Sequence, residues 1–141
     1  MMRDLHDNLE FRRLISPNRG TDNTAQVSQI IDLANVTMCE FSIAVGTVAD
    51  ADATFVVLVE DGDNASLTDN AAVDDAFLLG TETGAAFTFT NDNVVRKIGY
   101  IGPKRYVRLT ITPASNTGNF DISAVAVLCG HRKGPQSSQS A

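Results

Sequence analysis

A chain of 141 residues with 43% hydrophobic residues, no tryptophan and a formal net charge of −6 is long enough for one domain with a sizeable core. Its longest apolar runs, such as Phe55-Val56-Val57-Leu58-Val59, fall far short of a membrane span, and the N-terminus lacks an apolar signal core. The acidic balance opposes a polyanion, so neither nucleic acid nor membrane is an expected partner, and Cys39 and Cys129, each in an apolar run, suit free thiols in a reducing cytoplasm.

Residues 1–20 read as an arm. Leu5, Leu9 and Arg12-Arg13 could line one helical turn, but Pro17, Asn18 and Gly20 close the segment, which has too few apolar residues for a core. Residues 21–130 read as a single β domain. Strand-like runs fall at 25–33, 38–47, 53–60, 94–101, 104–113 and 120–129, with weaker ones at 76–80 and 86–90. About eight short strands and no long helical pattern predict an all-β antiparallel sandwich. In the second run Cys39 points inward with Phe41, Ile43 and Val45, out of step with Glu40. The stretch 61–75 is a polar loop in which Thr68 or Asp69 could cap a short helical turn.

The turn Gly102-Pro103-Lys104-Arg105 predicts a hairpin joining 94–101 to 104–113. After it Val107, Leu109 and Ile111 point one way and Arg108, Thr110 and Thr112 the other, so the core is expected to hold these three with Phe41, Ile43 and Phe55. Two runs, Phe55 to Val59 and Ile122 to Leu128, are apolar on both faces; such strands are central in a sandwich or covered by another subunit. Residues 131–141 read as a polar, flexible tail.

Charge is segregated along the chain. Thirteen acids and no Lys or Arg lie between residues 21 and 95, while the eleven basic residues flank that stretch, which predicts separate acidic and basic surfaces.

No chemistry-bearing constellation emerges, so neither an enzyme nor a cofactor is expected. His6 and His131 sit at opposite ends, and no His–Cys spacing suits zinc. Asp61-Gly62-Asp63-Asn64 begins like a calcium loop, but Ala65 and Ala72 occupy positions that need oxygen ligands. No nucleophile elbow or phosphate loop is present. The basic stretch 96–108 includes Tyr100 and Tyr106, but alternation leaves only part of it on one face.

The C-terminal half carries Ile98-Gly99-Tyr100-Ile101-Gly102, then Lys104-Arg105-Tyr106-Val107-Arg108-Leu109-Thr110, a turn at Thr117-Gly118-Asn119 and an apolar strand ending in Gly130-His131; the chain starts Met2-Arg3-Asp4-Leu5. These features resemble the capsid cement, or decoration, proteins of short-tailed bacteriophages, those of Bordetella phages among them. The two ends carry the likeness; the acidic middle is similar only in style. The resemblance implies a jelly-roll sandwich on the outer surface of the virion that staples major capsid protein subunits, with no catalytic residues. A homodimer, or a trimer, is the expected form on a capsid symmetry axis. Expected capsid contacts are Leu5, Leu9, Phe11, Arg12 and Arg13 of the arm, and Lys104 and Arg105 of the turn. From a different class, a lectin-like jelly-roll module of a fibre or baseplate is the competing expectation.

Overall fold

The computed structural model describes residues 3–134. Its strands are β1 (Glu10–Gly20), β2 (Gln26–Val27), β3 (Ile31–Asp32), β4 (Met38–Val48), β5 (Thr54–Gly62), β6 (Ala71–Ala72), β7 (Leu78–Leu79), β8 (Phe87–Thr88), β9 (Val95–Tyr100), β10 (Tyr106–Ala114) and β11 (Phe120–Cys129). One sheet runs β1-β11-β4-β9-β7. The other runs β2-β10-β5-β6, with β3 also on β10 and β8 also on β5. The chain changes sheet between β1, β2, β4 and β5, and again between β9, β10 and β11, which is the wrapping of a jelly roll.

The expected core residues are all buried: Phe41, Ile43, Val107, Leu109 and Ile111 at 0% exposure and Phe55 at 1%. Phe55 stacks on Phe87 at 4.6 Å and meets Phe120 edge-on at 4.9 Å, joining strands of both sheets. Cys39 is buried on the inner row, and burial pushes its thiol up to about 12. Both cysteines are free.

Four expectations about strands and turns need correction. The arm boundary at residue 20 does not hold, because residues 10–20 form β1, the outer strand of the first sheet, paired antiparallel with β11. Bulges between Arg13 and Ile15 and between Ile15 and Asn18 let Leu14 and Ile15 both turn inward. The turn at 102–105 is not a hairpin: β9 and β10 lie in different sheets, and the turn crosses between them. Gly102 allows this crossing, since a Cβ there would lie 2.5 Å from the Tyr100 hydroxyl oxygen. The run 25–33 is two short strands split by Ser28, whose Oγ accepts from Leu109 N at 2.9 Å in place of a ladder carbonyl. Neither Thr68 nor Asp69 caps a helix: Asp69 accepts from the amides of Asp63 and Asn64, and β6 lies in this stretch. The short helix α1 (Glu82–Ala85) comes later, capped by Thr81.

The open edge of β5 between β8 and β6 is closed by side chain and loop. Val59 N donates to Glu82 Oε1 at 2.7 Å, and Val59 O accepts from Val73 N at 3.0 Å.

Charge segregation in sequence becomes pairing in space. Because β10 lies in register with β5, Arg108 meets Glu60 at 2.7 Å. Arg105 grips Asp32 through two 2.9 Å bonds and Lys104 bonds Asp63, so these cations neutralise acids of the 21–95 stretch rather than forming a separate basic surface.

Candidate docking surface

The outer face of the first sheet is built row by row from its register. Phe11 lies opposite Val127, Val127 opposite Glu40, Glu40 opposite Gly99 and Gly99 opposite Leu79, one row across all five strands. The next row is Arg13, Val125, Ser42 and Lys97, and beyond it come Ser123, Ala44 and Val95. On the other side Cys129 lies opposite Met38. Phe11 is 55% exposed, Leu79 53%, Val95 69% and Val125 38%. Surface apolar residues scattered singly need no explanation, but these share one face of a rigid sheet, interspersed with Arg13, Glu40, Ser42 and Lys97.

Glu40 is the acid within this area. A Cβ on residue 99 would come within 2.6 Å of Glu40 Oε2 and 3.0 Å of Leu79 Cβ, so glycine lets the carboxylate lie along the sheet. Burial raises the Glu40 carboxyl, and the Lys97 charge pulls it back only in part.

A groove of about 470 Å³ continues the surface at the end of the sheet, sharing Met38 and adding Ile101, Pro103 and Leu33. Lys104, Arg105 and Arg132 stand along it. Beneath it the Tyr100 hydroxyl donates to Asp61 Oδ2 at 2.7 Å and accepts from Lys104 N at 3.1 Å.

The residues expected from sequence divide. Phe11 and Arg13 lie on the outer face, and Lys104 and Arg105 line the groove, already paired with Asp63 and Asp32. Leu5, 69% exposed, and half-buried Leu9 form a turn before β1, closed by Leu9 N to Leu5 O at 3.0 Å. Arg12, an expected capsid contact, bonds an acidic and a carbonyl group of its own chain. Its Nε donates to Glu10 Oε1 at 2.6 Å and its Nη1 to the Asp32 carbonyl at 3.1 Å, tying β1 to β3 across the sandwich. His131, expected in a mobile tail, has a side chain 4% exposed and sits 3.0 Å from Glu10 Oε2. Burial would raise the Glu10 carboxyl, but the hydrogen bonds from Arg12 and His131 outweigh it and hold it below the usual carboxylate range. The rest of the expected tail, from residue 135, lies outside the described residues.

Sequence reading missed Met38, Leu79, Val95 and Ile101 as parts of one surface. The signal was the alternation of apolar residues on both faces of 122–128, which marked the outer row of β11. Among the described residues no group of three or more His, Cys, Asp or Glu is placed to hold a metal ion, and no helix is long and apolar enough to cross a membrane.

No family model matches the chain, and no curated protein matches it in sequence. Solved structures do share its fold. A chain of the infectious bursal disease virus VP2 subviral particle matches 92% of this chain over 34% of its own, with TM-score 0.55 and 10% identity. A chain of the capsid of Ralstonia phage GP4 matches 94% over 91% of its own, with TM-score 0.50 and 11% identity. The SPBc2 prophage-derived protein YomS matches 85% over 93% of its own, with TM-score 0.48 and 10% identity, and carbohydrate-binding modules are also among the similar chains. At these identities the likeness establishes the architecture alone, an antiparallel jelly-roll sandwich.

Proposed function

We propose that this chain is a structural cement protein without enzyme activity, which sits on the outer surface of a phage head and bridges neighbouring major capsid protein subunits. The observation that carries the reading is the apolar outer face of the first sheet, open across all five strands. A face of this kind suits a flat protein partner better than a small ligand. The GP4 chain supports the reading, because there a jelly roll spanning 91% of the chain belongs to a phage capsid. Pairs of copies across a twofold axis would present the same face to symmetry-related subunits.

The sugar-binding alternative calls for an exposed aromatic platform. Tyr100 is 2% exposed and Arg105 covers the Tyr106 ring at 5.1 Å, so neither tyrosine offers a bare ring; the exposed rings are phenylalanines, Phe11, Phe77 and Phe89, which lack a hydroxyl to orient a sugar.

The test is binding to capsids that lack this protein. Val125→Asp and Leu79→Asp should fold as the unaltered chain does, by circular dichroism and urea unfolding, yet fail to decorate. Cys129, on the same face, should lose its reactivity toward a maleimide once the protein is on the shell. Decoration by both variants at the level of the unaltered protein would overturn the assignment, and specific binding on a glycan array would favour the alternative.

A further inference from the structure

Among the described residues Arg12, Arg13, Arg19, Arg105 and Arg108 each donate to a side-chain acceptor. Arg96 does not. Its Nε is buried with no hydrogen-bond partner, although a guanidinium remains charged and carries five donors. Register explains the burial. Arg96 lies opposite Ile43 on the inner row of β9, followed on that row by Ile98 and Tyr100, which are 0% and 2% exposed. The residue as a whole is half-exposed, so the buried Nε–H, not the whole charge, is what lacks a partner, and no ion pair joins Arg96 to an acid among the described residues.

Arg96 lines a groove of about 490 Å³ beside β5 and β8. Val56 and Ala86 contribute apolar surface, with Phe55 and Phe87 buried behind them at 1% exposure each, and Thr83, Thr88 and Asn91 contribute polar groups. Asn91 Oδ1 accepts from Thr88 N at 3.1 Å, which leaves the Asn91 amide NH2 for a ligand. No lining residue is acidic, in a chain with 17 acids and 11 basic residues.

We propose that this groove binds a carboxylate, and that the carboxylate is an aspartate or glutamate side chain of a protein partner. A planar guanidinium pairs with a carboxylate through two parallel bonds. One cation among neutral donors balances a monoanion, whereas a phosphate dianion ordinarily gathers more positive charge. Val56, 57% exposed, offers apolar contact for the methylene stem of an acidic side chain and a rim for a protein partner. The groove opens at the second sheet, so the assignment stands whether or not the first sheet docks on a capsid.

The test uses the full chain labelled with 15N, following the Arg96 Nε–H and Asn91 side-chain NH2 resonances at constant ionic strength. Titrants are a blocked glutamate, acetate, inorganic phosphate and chloride. Both resonances should shift and saturate with the carboxylates, the blocked glutamate saturating at a lower concentration than acetate. Followed at Asn91, Arg96→Lys should weaken that binding about tenfold, the size expected when one of two parallel charge-assisted bonds is lost while the charge stays. Absence of saturation in the unaltered protein, or phosphate saturating below both carboxylates, overturns the carboxylate assignment. Equal affinity for acetate and blocked glutamate overturns the side-chain assignment. Because the deciding readouts are on unaltered protein, they stand even if a variant fails to fold.

Discussion

Replacing Tyr100 by Phe should remove a bond that joins the two sheets. Tyr100 is on β9 of the first sheet and Asp61 on β5 of the second, and the hydroxyl bridges them at 2.7 Å while also taking Lys104 N at 3.1 Å. Asp61 is 9% exposed, so its carboxylate has little water to replace the lost donor. A hydrogen bond to a charged group contributes about 1.5–3 kcal/mol, and a buried group left unmade loses its desolvation free energy as well. Lys104 N, at a surface turn, can recruit water and adds little. The expected loss is therefore about 2–3 kcal/mol, which at a urea slope of about 1.5 kcal/mol/M moves the midpoint down by between 1 and 2 M. Asp61→Asn keeps an acceptor for the hydroxyl and should cost less. The double variant Tyr100→Phe with Asp61→Leu should cost less than the sum of its parts, because neither partner is then left alone. A Tyr100→Phe loss under about 0.5 kcal/mol, or strict additivity in the cycle, would refute this account of the bridge.

Glu40→Gln should raise the urea midpoint at pH 7. Burial raises the Glu40 carboxyl in the folded state, so its charged form is disfavoured there and stability is lost as pH rises from the ordinary carboxylate range through the raised value. The advantage of Gln should vanish by pH 3, and one that persists there has another cause. Glu10 has the opposite sign: its lowered carboxyl stabilises the fold above the ordinary carboxylate range, and that contribution should fade as pH falls through the lowered value, which Glu10→Gln would abolish in an acid titration. Gly130→Ala should destabilise by about 1–3 kcal/mol, since the position has φ +68° and a Cβ would come within 2.0 Å of Thr37 Oγ1; Thr37→Ala should restore only the steric part. Deleting residues 1–9 should leave the unfolding free energy within about 1 kcal/mol of its value, whereas deleting 1–20 also removes Leu14 and Ile15 from the core and bares the edge of β11. That loss exceeds about 4 kcal/mol and should give an aggregating chain; a soluble, cooperatively folding 21–141 fragment would contradict it.

The strands that alternation reveals are the ones whose two faces differ. β10 reads from Val107, Leu109 and Ile111 against Arg108, Thr110 and Thr112, and β4 reads from Cys39 to Val45, because each has one face in the core. β1 does not read that way. Its buried pair, Leu14 and Ile15, is consecutive because a bulge lies there, and Ser16, Pro17, Asn18 and Arg19 are an exposed polar edge that sequence makes look like a loop. The crossing at 102–105 was illegible for a different reason. Turn chemistry reports that the chain reverses, but which sheet receives the next strand depends on Tyr100 packing beneath Gly102. Pairs such as His131 with Glu10 and Arg12 with the Asp32 carbonyl join distant segments, so the ends looked free when considered alone. Of the docking surface, the double-sided apolar pattern of 122–128 was visible; its continuation to Leu79 and Val95 depends on strand order, which no local pattern encodes.

The two outer faces differ in a way that bears on attachment. On the second sheet Thr110, Thr112 and the Arg108–Glu60 pair are spaced between Leu58 and Val56, so its apolar groups are separated by satisfied polar ones. On the first sheet Phe11, Val127 and Leu79 share a row with one carboxylate, Glu40, that burial already disfavours, and Arg13, Ser42 and Lys97 stand in the next row with Val125. In the proposed docking, covering the apolar residues contributes about 25 cal/mol for each Å² removed from water, and a preformed sheet has little conformational entropy left to lose. Covering Glu40 acts the other way to the extent that neighbouring Lys97 and the partner do not compensate its charge, because a charge taken from water is unfavourable. The apolar row therefore sets how strongly the face holds a surface, and Glu40 sets which surface, excluding apolar partners that lack a matching base. A contact tuned in this way can stay weak in each copy and still hold a shell, since symmetry repeats it many times over.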